Sequence, residues 1–84
     1  MKRINVKQAV PFCLKLYWRP KSFGVEQEMD GYWVPVVVWV TENGQEKRLY
    51  DSRGFLDRDS AADYAEELLR YAQGTNIVVA GDAE

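Results

Sequence analysis

Few residues in this chain are of a type and spacing that could do chemistry. There is no histidine, which removes the commonest general base and the commonest metal ligand. Asp57, Asp59 and Asp63 are close enough in sequence to suggest a cation site. Their spacing lacks the glycine and terminal glutamate of a calcium loop, and helix capping accounts for them better. Gly44 and Gly54 make no phosphate-binding loop. Cys13 is the single cysteine, so no intrachain disulfide and no cysteine-based zinc site can form. It reads as a small apolar side chain in a reducing, cytoplasmic protein. No catalytic motif, cofactor or metal is expected, and function must lie in a surface.

The residues left for that role are aromatic and cationic, and the elements that position them come from hydrophobic patterning. Tyr32–Thr41, YWVPVVVWVT, is β-branched and aromatic and predicts a central strand. Pro11–Arg19 alternates Phe12, Leu14, Leu16 and Trp18 with Cys13, Lys15, Tyr17 and Arg19, the period of two that predicts a half-buried strand. Phe23 and Val25 predict another strand, and Lys47–Asp51 a further one. Asp30-Gly31 and Asn43-Gly44 signal two-residue hairpin turns, which makes a meander.

A helix is expected from Ala61 to Gln73, capped by Asp59 or Ser60 and stopped by Gly74, with Ala61, Ala65, Leu68 and Ala72 as its apolar stripe. Ile77–Ala80 then predicts a last short strand. Met1–Gln8 reads as an arm or an extra edge strand, and Gly81–Glu84 as an acidic tail that frays. The expected fold class is α+β: an antiparallel β-meander sheet of four or five strands with one helix on one face, in the order β-β-β-β-α-β, as one domain over residues 1–84.

The turns also serve as rulers, because paired residues share a face. Two-residue loops pair Trp39 with Arg48, Val38 with Leu49, Val37 with Tyr50 and Val38 with Phe23. One face then gathers Phe23, Val25, Val36, Val38, Val40 and Leu49 under the helix, and a short Pro20-Lys21 connection adds Leu16 and Trp18, with Leu14 and Phe12 further along. The other presents Lys15, Tyr17, Arg19, Trp33, Trp39, Arg48 and Tyr50, an aromatic surface of mixed charge with Glu26 and Glu28 among its residues. Two tryptophans are more than a solvated sheet face needs, and such patches mark partner surfaces.

The stretch from Phe55 through Ala62, Tyr64-Ala65, Leu68-Leu69 and Gly74 to Ile77-Val78-Val79-Ala80-Gly81, preceded by Gly31-Tyr32-Trp33, resembles small uncharacterised bacterial and phage domains built as a meander, one helix and a final short strand. The resemblance covers about 50 residues, mostly as hydrophobic spacing. It implies architecture and no activity.

With 11 basic and 13 acidic residues among 84, the formal charge is −2, which argues against phosphate neutralisation as the main source of affinity. No apolar run approaches the ~20 residues of a membrane helix, and the first ten residues do not read as a secretion signal. The expectation is a noncatalytic protein–protein interaction module, of the adaptor or phage-type inhibitor class, that binds another protein through the aromatic sheet face. A homodimer would cover the same face. The alternative is a nucleic-acid-binding sheet using Lys15, Arg19, Arg48 and Arg53.

Overall fold

The computed structural model describes residues 1–82, with side chains as far as Asn76. It is α+β, with a four-stranded sheet and two helices: β1 Arg3–Ile4, α1 Val6–Lys15, β2 Arg19–Gln27, β3 Trp33–Val40, β4 Glu46–Asp51 and α2 Arg58–Asp82. The strand order is β1-β4-β3-β2. The meander of three antiparallel strands is present as expected. The sheet is nevertheless mixed, because β1 pairs with β4 in parallel. The N-terminal segment supplies that extra edge strand.

Three expectations are corrected. Most of the segment read as a first strand belongs to α1. Asn5 caps it by accepting from the Gln8 N–H at 3.2 Å, and Val6, Val10, Cys13 and Leu14 fall on one buried side. That spacing of four, three and one is helical, and it overrides the short alternation downstream. Pro11 lies inside the helix on its exposed side. Its missing N–H costs the first turns one bond, and burial of the apolar stripe offsets this. The second correction is that Gly74 does not stop α2. The predicted strand at Ile77–Ala80 is helical backbone instead. The third is the cap of α2, which is Asp57, whose Oδ2 accepts from the Ser60 N–H at 2.8 Å.

The register also differs, and this matters most. Both hairpins close as three-residue loops. Gly31 N–H bonds Glu28 O and Glu28 N–H bonds Tyr32 O, while Gly44 N–H bonds Thr41 O and Thr41 N–H bonds Gln45 O. Gly31 and Gly44 adopt φ of 92° and 86°, the left-handed position that a type I turn with a following bulge requires. One extra loop residue moves each partner strand by one, so Val38 faces Arg48, Trp39 faces Lys47 and Val37 faces both Leu49 and Phe23. A one-residue slip exchanges the faces.

Consequently Val37 and Trp39 lie under the helices, in one core with Val6, Val10, Cys13, Leu14, Leu68 and Ala72. Ala61, Ala65, Leu68 and Ala72 of α2 are buried along the expected stripe, and their small size lets the helix approach the sheet. Pro35 is tolerated because its nitrogen faces the end of β4 rather than β2, where the ladder continues. At the junction of β4 and α1, Asp51 is buried and its carboxylate accepts from Val6 N–H at 3.1 Å and Arg53 N–H at 2.9 Å.

Candidate functional surface

The helix-free face of the sheet carries Val34, Val36 and Val38 along β3, all buried although no helix covers them. Longer side chains of the flanking strands shield them. Arg48 of β4 reaches Glu26 of β2 at 3.2 Å, and Lys21 of β2 reaches Glu46 of β4 at 2.6 Å. Both pairs span the width of β3. Tyr50 joins the first, and hydrogen bonding to Glu26, followed by burial, pushes its hydroxyl above the usual tyrosine range. Lys21 holds the Glu46 carboxyl below its usual range. This face is a row of valines under exposed ion pairs, each worth ~0–1 kcal/mol.

The predicted surface residues are thereby divided among separate places. Arg19, Arg48 and Tyr50 fall on the helix-free face by their register. Trp39 does not join them. It is fully buried on the opposite face, and its indole N–H has no acceptor among the described residues. Trp33 is half-buried on that same helix-covered side, with the Arg58 guanidinium 5.8 Å from its ring centre. Lys15 and Tyr17 lie at the end of α1. Arg53, one of the four cations considered for nucleic acid, sits 4.9 Å from the ring centres of both Phe55 and Tyr64 beside α2. The four cations are therefore spread over three surfaces.

What gathers instead at the end of α1 is an apolar knob. Phe12, Leu16 and Tyr17 are 67%, 58% and 63% exposed. Phe12 and Leu16 are one helical turn apart, on the flank outside the buried stripe, and Lys15 Nζ lies 5.9 Å from the Phe12 ring centre. Other exposed apolar residues include Met29 at a hairpin tip, which shares a shallow depression with Met1, and Leu56 in a loop.

The helix ends there in a Schellman motif: Trp18 N–H bonds Cys13 O and Tyr17 N–H bonds Leu14 O, both at 3.0 Å. That motif puts its C′ residue in the left-handed region, where glycine is usual. Here the residue is Tyr17, at φ 63°, the one non-glycine among the described residues with positive φ. A bulky side chain in that conformation costs roughly 1 kcal/mol or more.

Sequence reasoning placed Phe12 and Leu16 in the core and so missed them as surface residues. Their four-residue spacing within a helix starting at Asn5 was the available signal. Nothing in Leu16-Tyr17-Trp18 announces the left-handed tyrosine. Among the described residues no group of three or more acidic or cysteine side chains is placed to hold a metal ion, and no helix is long and apolar enough to cross a membrane. No family model matches this chain, and no curated protein or solved structure is significantly similar to it, so the surface is read from its own geometry.

Proposed function

We propose that this chain is a noncatalytic protein-binding module, of the adaptor or inhibitor class, that engages its partner through Phe12, Leu16 and Tyr17. The observation that carries this reading is Tyr17, an exposed aromatic held in a conformation that glycine would adopt at lower cost. Strain of that kind persists where the side chain is needed for something other than the fold. Aromatic anchors on a rigid helix end suit the centre of an interface. Lys15, whose Nζ lies 5.9 Å from the Phe12 ring centre, favours a partner with an apolar groove and an acidic rim.

The test separates stability from binding. Tyr17→Gly should raise the stability of the isolated protein by about 1 kcal/mol, read from the urea midpoint, because it relieves the left-handed strain. The same change, and independently Leu16→Glu, should abolish retention of a nuclease-resistant protein partner on tagged bait in native extract. Retained material that disappears on nuclease treatment would move nucleic acid to first place. A partner retained equally by wild type, Tyr17→Gly and Leu16→Glu sinks the knob as the binding surface.

A further inference from the structure

β2 is an edge of the sheet, and its outer side is a nine-residue strand with few of the devices that normally blunt an edge. Pro20 and an irregularity between Pro20 and Ser22 protect only its beginning. The first rung of the β2–β3 ladder, Glu28 with Tyr32, sets the alternation of the rest. Ser22, Gly24 and Glu26 therefore bond inward to β3. The N–H and C=O groups of Phe23, Val25 and Gln27 point outward.

We propose that this edge pairs with a second copy of the same chain, antiparallel about a twofold axis at Val25, joining two four-stranded sheets into one of eight. Only one symmetric register suits the sequence. An axis at Phe23 or Gly24 runs into the irregularity around Lys21. An axis at Glu26 sets Glu26 against its own copy, and one at Gln27 sets Glu26 against Glu28 of the copy, both destabilising. The axis at Val25 pairs seven residues, Ser22–Glu28, without like charges. Val25 meets Val25, Phe23 meets Gln27, Ser22 meets Glu28, and Glu26 meets Gly24, where an added Cβ would touch nothing within 4 Å. Phe23, 39% exposed on its own chain, is covered by the copy. An isologous contact of this kind closes at two and leaves no edge of β2 free.

Sedimentation of the whole chain over a series of concentrations tests this. Wild type should form a dimer as concentration rises. Val25→Pro removes an outward N–H that β3 does not use, so it should leave the monomer folded and raise the dimer dissociation constant at least about tenfold. Gly24→Glu, in open space on the monomer, should weaken the dimer likewise by setting two acids opposite each other. Phe12→Glu should leave the dimer intact, which separates this edge from the knob at the end of α1. A wild type that stays monomeric at every concentration overturns the proposal. So does a folded Val25→Pro or Gly24→Glu protein that dimerises as tightly as wild type.

Discussion

Arg48 and Glu26 meet 3.2 Å apart across the full width of β3, one reaching from β4 and the other from β2, with the valines of the central strand beneath them. Both side chains are a third or more exposed, although the Glu26 oxygen that meets Arg48 is itself covered, so the pair is partly screened by water and salt. A double-mutant cycle on Arg48→Ala and Glu26→Ala should give a coupling energy of about 0.2–1 kcal/mol that shrinks as salt is added. Most of the loss in Arg48→Ala should come from uncovering Val36 and Val38 and should not respond to salt. A coupling well above that range would mean the pair is more buried than its exposure indicates.

Trp39, which the turn register places in the core, should behave as a packing residue. Trp39→Ala should destabilise the protein by about 3–5 kcal/mol, the cost of a large aromatic cavity. Trp33→Ala, at a half-buried position, should cost clearly less. Trp39→Phe gives up part of the volume but also removes an indole N–H that lacks an acceptor, and it should fall between Trp39→Ala and wild type. Urea unfolding of the three variants orders them. Equal midpoints for Trp39→Ala and Trp33→Ala would contradict the observed difference in burial.

The sheet and the helical stripe Ala61, Ala65, Leu68 and Ala72 were legible because their patterns are long. β3 is apolar throughout, and both glycine turns were found where they occur. What the sequence does not display is loop length by one residue. Asn43-Gly44 and Asp30-Gly31 read equally well as two-residue loops or as the last two positions of three-residue loops, and the choice inverts which side chains of β2 and β4 accompany Trp39. The two-residue choice strands two tryptophans in water, and that improbability was itself the signal of the other. The α1 segment failed for a different reason. From Pro11 to Arg19 it alternates like a strand, and its helical spacing appears only when Val6 and Val10 are included.

Tyr50 should titrate late. Its folded-state pKa lies above the ordinary 10.0, chiefly through hydrogen bonding to Glu26, so the folded protein holds the phenolic proton more tightly than the unfolded chain. The resulting stabilisation is complete below pH 10 and is lost as pH rises through the raised value. Glu26→Gln should bring the Tyr50 transition, followed by its ring Cζ shift in NMR, back towards the ordinary range. It should also flatten the alkaline fall in stability. An unchanged transition would remove Glu26 as the cause.

Asp51 ties together the elements that present the knob. Its two carboxylate oxygens accept from the first residue of α1 and from Arg53, while Arg3 donates through Nε to the Asp51 carbonyl at 3.0 Å and through Nη2 to the Ser52 carbonyl at 2.8 Å. Asp51→Ala leaves two backbone N–H groups without their acceptor beside a buried site and should cost about 2–4 kcal/mol. Asp51→Asn keeps the shape but turns one acceptor into a donor, and it should cost roughly half as much. Because the carboxylate anchors the start of α1, hydrogen exchange in Asp51→Ala should accelerate at Ala9 and Val10 more than in β3. The helix end carrying Phe12, Leu16 and Tyr17 would then be displayed on a loosened support, and partner retention should fall with no change to the knob itself. Exchange accelerated equally in α1 and β3 would show instead that Asp51 stabilises the fold as a whole and does not specifically position the binding helix.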